Sequence, residues 1–350
     1  EHPDLAASLH NLAATLFRKG DYERSEALHR QGLALRQRLL GATHPKVANS
    51  QHNLAILLIK KGDLASAVQS LQAATHIREA QLRSIASEAR VQALVEQLRE
   101  EEDLTYGLLL DPRGGAAARQ LALRTALLRQ GRTLESGVIA NKILHLNLTN
   151  PAVQKRFDEW QAVRQQYESL LYGSLGTLKP EEYQGRLKSL DLAARSLEAQ
   201  LATELPEITK MHPPDYEAIV SAVARRLSPR GVLVNLLWVK PFQSPQKEYK
   251  ERWGTPRYVA ILLFPDRRTV SVDLGAAPEI DGSSRALLAA LQSPGSDPAH
   301  AAQALYQKVF LPLAPYLAGV SDVYISPDGS LNLIPFDALH DGIDYLLGRY

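Results

Sequence analysis

The chain has 350 residues, 45% hydrophobic and 22% charged, with 40 Lys and Arg against 38 Asp and Glu for a formal charge of +2. That length allows two or three domains with separate cores, and the near-neutral balance gives no electrostatic case for nucleic acid or an anionic membrane as the main partner. There are no cysteines, which excludes disulfides, thiolate metal sites and a cysteine nucleophile within these residues and suits a reducing, cytoplasmic setting. Apolar runs such as Tyr258 to Phe264 are strand-length, too short to cross a bilayer. No charged-then-apolar leader is visible, and a chain that opens on Glu1 reads as a fragment or a processed piece. Basic and acidic residues mix along the helical segments, the pattern of a solvated face.

The front of the chain repeats itself. His2-Pro3 returns as His44-Pro45, a shift of 42 residues. The same shift carries Asn11-Leu12-Ala13 onto Asn53-Leu54-Ala55, and Lys19-Gly20-Asp21 onto Lys61-Gly62-Asp63. It also sets Leu16 against Leu58, Leu35 against Ile77, and Arg36 against Arg78. Each unit reads as two helices. Leu5, Leu9, Leu12, Ala13, Leu16 and Phe17 recur at three- and four-residue steps. Gly20 then closes the first helix and Asp21 caps a second, over Tyr22 to Leu40. Ala13, Ala55, Ala67 and Ala74 stand where helices approach closely. Such a pair cannot bury its stripe alone, and because about three or more units are usually needed, further units before Glu1 or after Gln81 are expected.

On these residues the segment from 1 to about 82 resembles tetratricopeptide repeats of the long, kinesin-light-chain kind. "NLA", the glycine-aspartate turn, "ALRQRLLG" and "HP" carry the likeness. The resemblance implies a concave groove that binds an extended protein or peptide ligand. It assigns ligand contact to Asn11 and Asn53, with Arg18 and Lys60 further along the same helices.

Residues 83–205 read as a helical connector in which the period fades. Ala73 to Leu110 has few breakers and carries the charged run Arg99 to Asp103. Asp111 to Gly115 is a turn; no Gly-Lys-Ser/Thr follows it, so it is not a phosphate loop. Helices are expected over Ala116 to Leu146, Pro151 to Leu171 and, started by Pro180, Glu181 to Glu204. Their core stripes are Leu121, Leu128, Phe157, Trp160, Val163 and Tyr167.

The period changes after Leu205-Pro206. A helix over Tyr216 to Leu227 leads to a buried strand, Val232 to Val239, rich in Val and Leu. Pro241 to Pro256 is a long exposed loop. Strands at Tyr258 to Phe264 and Thr269 to Asp273 are joined by a polar turn at Asp266-Arg267-Arg268. Helices at Ile280 to Leu291 and Ala299 to Leu317 precede a fourth strand, Val320 to Ile325. The alternation argues for an α/β layered domain over 206–350.

Residues 116–350 resemble the connector and N-terminal part of the CHAT domain. The likeness rests on Leu311-Pro312-Leu313, Ile325-Ser326-Pro327-Asp328-Gly329, Leu333 to Leu339 ("LIPFDAL") and Tyr345-Leu346; Asn235 departs from it, standing where an acidic residue is expected. The resemblance implies an α-helical repeat solenoid and connector followed by part of a caspase-like, three-layer α/β domain. Such domains are cysteine peptidases in which a histidine takes the proton from the nucleophilic thiol. It also implies a bacterial defence setting and a protein target. Both catalytic residues are expected downstream, so no catalytic residue is assigned here, and a C-terminal peptidase fragment is the partner that completes the fold. The alternative is a non-catalytic scaffold. No cofactor or metal site is expected, since neither His-Glu-x-x-His nor Gly-x-Ser-x-Gly occurs. His10, His52 and His340 read as structural, as do Asp328 and Asp337 in turns and caps.

Overall fold

The computed structural model describes residues 3–84, 94–96, 98–130, 151–173, 178–204, 216, 218–243, 252–293 and 295–349. They form two compact units, one from Glu1–Glu101 with Leu128–Tyr216 and one from Glu102–Leu127 with Glu217–Tyr350.

In the first unit α1 (Pro3–Lys19), α2 (Tyr22–Leu40), α3 (Pro45–Lys61) and α4 (Leu64–Ser84) are the two helix pairs of the repeat. One turn is built twice. Gly20 and Gly62 take φ of 85° and 81°, the left-handed region where a side chain would be strained. Asp21 N–H and Asp63 N–H reach back to the carbonyls of Leu16 and Leu58, both at 3.0 Å. Each aspartate then caps the next helix, accepting from Arg24 N–H at 3.2 Å and Ser66 N–H at 3.1 Å. The His-Pro element has a like explanation: His44 Nδ1 accepts from Lys46 N–H at 3.0 Å as the N-cap of α3, and Pro45 occupies the first turn. Ala6, Ala13, Ala48 and Ala55 are buried within the helix pairs. Leu54, Leu57, Leu58 and Ala67 form a core with Phe17, Tyr22 and Leu33 of the preceding pair.

α7 (Pro151–Tyr172) and α8 (Pro180–Glu204) pack as a hairpin in the same unit. Tyr183 of α8 is buried among Ala6, Leu35, Leu39 and Leu40, and its hydroxyl lies 3.1 Å from His44 Nε2. Gln184 Nε2 donates to Arg38 O at 2.9 Å. The expected aromatic stripe of α7 needs correction. Phe157, Trp160, Val163 and Tyr167 are half-buried, and the buried positions are Val153, Arg164, Glu168 and Leu171. Arg164 takes an inward position in place of the aromatics because Glu198 accepts from it at 2.6 Å, and from Trp160 Nε1 at 3.0 Å.

The reading of mixed charge as a solvated face is also overturned. α5 (Arg99–Gly107) carries Glu101, Glu102 and Asp103, all buried. Glu101 accepts from Thr75 Oγ1 at 3.1 Å and pairs with Arg129 Nη2 at 3.4 Å, while Arg129 Nε meets Glu79 at 3.2 Å. Paired charges can be buried where neutral packing alone would exclude them.

The second unit includes α6 (Gly115–Gln130) up to Leu127, with Leu121 and Leu123 buried. Ahead of it, Asp111 accepts from Arg113 N–H at 2.9 Å and opens a 3₁₀ turn over Pro112–Gly114. The remainder of the expected Ala116 to Leu146 helix lies outside the described residues. α9 is shorter than expected, Ile219–Ala224.

The sheet contains β1 (Gly231–Val239), β2 (Arg257–Leu263), β3 (Thr269–Ala276) and β4 (Asp322–Ser326), in the order β3-β2-β1-β4. β1–β2 and β2–β3 are antiparallel. β4 runs parallel to β1, from Gly231 opposite Asp322 to Asn235 opposite Ser326. Val232, Val234, Leu236, Tyr258, Ala260 and Leu262 face one core, which α10 (Ala277–Gln292) and α11 (Ala299–Val309) cover. Leu233, Leu237, Val259, Ile261 and Leu263 alternate with them and are buried as well, so β2 reads as a near-continuous apolar run and β1 as one interrupted by Asn235.

Several expected boundaries move: β4 is Asp322–Ser326 rather than Val320 to Ile325, and α10 begins at Ala277 rather than Ile280. β3 continues past Asp273 to Ala276 because its ladder with β2 continues to Arg257. α11 stops at Val309 rather than Leu317, and Pro312 and Pro315 turn Leu311–Tyr316 into 3₁₀ geometry. The Pro241 to Pro256 segment is anchored at its base: Phe242 and Trp253 meet edge to face at 5.6 Å, and Gln243 N–H donates to Arg252 O at 2.8 Å. Residues 244–251 lie outside the described set.

Candidate functional site

The repeat surface offers the first candidate. Asn11 and Arg18 are seven residues apart on α1, as are Asn53 and Lys60 on α3, so each pair shares a helix face. Asn11, Arg18 and Lys60 are exposed or nearly so, and Asn53 is half-buried. Asn53 Nδ2 donates to Asn49 O at 2.9 Å and lies 3.5 Å from His10 Nε2, which links the two helices beside Asn11. Asn49 adds a polar group one turn before Asn53, its Oδ1 held by Arg78 Nη2. Repeat comparison does not single out Asn49, because the 42-residue shift pairs it with Ala7.

Charge is distributed unevenly across these helices. α1 has one acidic residue, Asp4, against Arg18 and Lys19; α3 has none against Lys46, Lys60 and Lys61. Lys61 is neutralised by Glu23 at 2.8 Å and Glu26 at 2.7 Å. Those bonds raise the Lys61 pKa, and its bond to Glu26 holds that carboxyl below its ordinary value. Lys60 makes no ion pair among the described residues, and Arg18 reaches only Thr15 Oγ1, at 3.4 Å. The first helices therefore present cations and amides without a balancing acidic set.

A second candidate lies at the carboxyl end of β4, where α/β sheets commonly place their sites. Ser330 Oγ donates to Asp281 Oδ1 at 2.6 Å, Tyr258 Oη donates to the same oxygen at 2.9 Å, and Ser330 N–H donates to Tyr258 Oη at 3.0 Å. Burial, first of all, pushes the Tyr258 phenol up to about 12. Asp328 accepts from Gly329 N–H at 2.7 Å and from Trp238 N–H of β1 at 3.1 Å. Gly329 has φ of 59°, and a Cβ there would lie 2.4 Å from Tyr258 Oη. These bonds hold a turn. No histidine accompanies Ser330 in them, so they do not make an activated nucleophile. Tyr258→Phe is expected to lower the stability of this unit by about 1–2 kcal/mol in urea unfolding, since Asp281 and Ser330 lose a buried partner.

His340 sits in a small turn, its Nδ1 accepting from Gly342 N–H at 3.0 Å, and Asp337 is exposed in a 3₁₀ turn over Phe336–Ala338. Asn235 is fully buried on β1, opposite Ile261 on one side and Ser326 on the other. No cluster of three or more His, Cys, Asp or Glu able to hold a metal occurs among the described residues, and no helix among them is long and apolar enough to cross a membrane.

No curated protein matches the chain. Residues 4–80, the span of the four repeat helices, match the family model described as tetratricopeptide repeat.

Proposed function

We propose that the repeats hold a protein or peptide ligand on the surface built by α1 and α3, with Asn11 and Asn53 bonding an extended backbone and Arg18 and Lys60 attracting its acidic groups. The observation that carries this reading is the duplicated Asn and cation spacing on helices whose charge is one-sided. The second unit is the N-terminal part of a caspase-like cysteine peptidase domain whose histidine and cysteine lie in later sequence, and ligand binding regulates proteolysis of a protein target. Its support is the resemblance of Ile325 to Gly329 and Leu333 to Leu339 to that family. The cysteine-free composition favours a second reading, a non-catalytic interaction scaffold.

An array of extended acidic 12-residue peptides, with neutral scrambles as controls, tests the surface. Asn53→Ala is expected to weaken the best binder about fivefold to thirtyfold, and Arg18→Ala with Lys60→Ala to reduce the salt dependence of binding. Equal binding by the neutral scrambles and by the Asn53→Ala chain rejects the groove reading. A cysteine and histidine in the continuing polypeptide, with iodoacetamide-sensitive hydrolysis of a protein substrate, separates the peptidase reading from the scaffold one.

A further inference from the structure

The 42-residue shift repeats a pair of basic side chains: His10 of α1 returns as His52 of α3, and Arg36 of α2 as Arg78 of α4. In the second unit this pair faces carboxylates. Arg78 Nε lies 3.8 Å from Glu101 of α5. His52 stands in the field of the same acidic turn: burial, first of all, lowers its pKa, and the charges of Glu101 and Glu100 oppose that. α5 therefore lays two successive glutamates against the His–Arg pair of the second unit.

In the first unit the same pair meets no carboxylate among the described residues. Arg36 is half-buried, and its Nη1 donates to two neutral acceptors, Lys46 O at 3.2 Å and Ser50 Oγ at 2.7 Å. His10 is half-buried beside Asn53 Nδ2 of α3, at 3.5 Å, and its ring centroid lies 5.3 Å from that of His29 on α2. His29 stands where the second unit has Leu71, so the first unit gathers one more ring at this place. Burial and then the Arg36 charge lower the pKa of His10, and burial, His10 and Arg36 lower that of His29. A guanidinium drawn partly out of water beside two imidazoles keeps an electrostatic deficit that an ionised carboxylate offsets.

We infer that His10 and Arg36 form a subsite for a glutamate or aspartate side chain of an acidic protein segment, which docks there as Glu100 and Glu101 dock on His52 and Arg78. The inference rests on the proposal above that this face takes an acidic ligand, and deepens it. The group selected is a carboxylate, and α2 contributes to its recognition together with α1. Internal equivalence names the ligand chemistry, since the molecule already holds carboxylates at the matching pair one unit later.

The probe is a free peptide with the sequence of residues 96–107, titrated into the full chain and followed by fluorescence anisotropy. Its control is the same peptide with Glu100→Gln and Glu101→Gln. The control is expected to bind about tenfold more weakly, and Arg36→Gln in the chain to weaken the probe by a similar factor. The His10 ring signals are expected to shift on binding. Arg36→Gln also removes the bonds to Lys46 and Ser50; if that variant does not fold, His10→Gln reads the same subsite from α1 with those bonds in place. No binding of the probe, equal binding of the control, or binding indifferent to Arg36→Gln and His10→Gln overturns the inference. An array peptide that depends on Asn53 but not on Arg36 or His10 leaves the surface proposal standing and removes the subsite. Absence of binding by every acidic peptide removes both.

Discussion

Arg129→Met is expected to destabilise the repeat unit by about 3–5 kcal/mol in urea unfolding, the largest effect of any single substitution considered for this chain. Arg129, Glu79 and Glu101 have side chains 4%, 1% and 4% exposed. Removing the guanidinium leaves two carboxylates deep in the unit with one cation fewer, and an under-compensated buried charge costs far more than its pair contributed. Arg78 Nε lies 3.8 Å from Glu101 and Thr75 donates to it at 3.1 Å, so Glu101 keeps partial compensation. Glu79 loses its ion pair with Arg129. Arg129→Met combined with Glu79→Leu is therefore expected to lose less than Arg129→Met alone. A single substitution that costs under about 1 kcal/mol would show the three groups to be hydrated rather than buried together.

Acidification is the second large effect. Burial, followed by the nearby His10 and Arg36, lowers the His29 pKa from 6.5 to about 4. Burial, followed by Lys46, lowers His44 to about 4, and a bond involving Leu171 only partly opposes this. The unfolded chain takes up these protons near pH 6.5 and the folded chain only near pH 4, so stability falls as pH drops through that window. The loss is on the order of 2–3 kcal/mol for each histidine once both states are protonated. His44 also has a geometric reason to resist: its Nδ1 must stay unprotonated to accept from Lys46 N–H. Glu26 and Asp63, whose pKa values are lowered by their hydrogen bonds, lose stabilisation only as pH falls through and below the ordinary carboxylate range. Midpoints measured between pH 6.5 and 4.5 therefore isolate the histidines. His44→Asn, which keeps an N-cap acceptor without a titrating ring, is expected to flatten the acid limb only in part, because His29 and also His10 and His52, whose pKa values burial lowers, still titrate. An unchanged slope would refute the assignment.

Much of this architecture is written in local chemistry. Gly20, Gly62 and the aspartates that follow them set the ends of α1 and α3, because one residue must enter the left-handed region and the next must satisfy free amides. Pro45, Pro151 and Pro180 begin helices for a similarly local reason. The apolar run of β1, interrupted within Val232 to Val239 only by Asn235, marks a strand buried on both faces. Long-range pairing is the part that local chemistry does not carry. Arg129 meets Glu79 across 50 positions and Glu101 across 28, and no periodicity within a helix reveals that a charged run turns inward. Composition alone makes Arg99 to Asp103 look solvated. The end of α11 is hidden even though Pro312 and Pro315 are visible, because the apolar spacing of Phe310, Leu313 and Leu317, at steps of three and four, imitates a helical stripe. At the repeat surface, the spacing of Asn11, Arg18, Asn53 and Lys60 is legible in the sequence, and the bonds of Asn49 and His10 are not.

The parallel seat of β4 bears on how the second unit assembles. β1, β2 and β3 follow one another as neighbours, but β4 reaches β1 by pairing Asp322 with Gly231, across a long intervening stretch that includes β2, β3, α10 and α11. Loop-closure entropy makes the antiparallel meander the cheap early step and the β1–β4 pairing the slow one. During synthesis β1 therefore waits with one edge unpaired while the intervening elements emerge. The apolar composition of β1 makes that interval the time at which the chain is most prone to pair with another copy of itself.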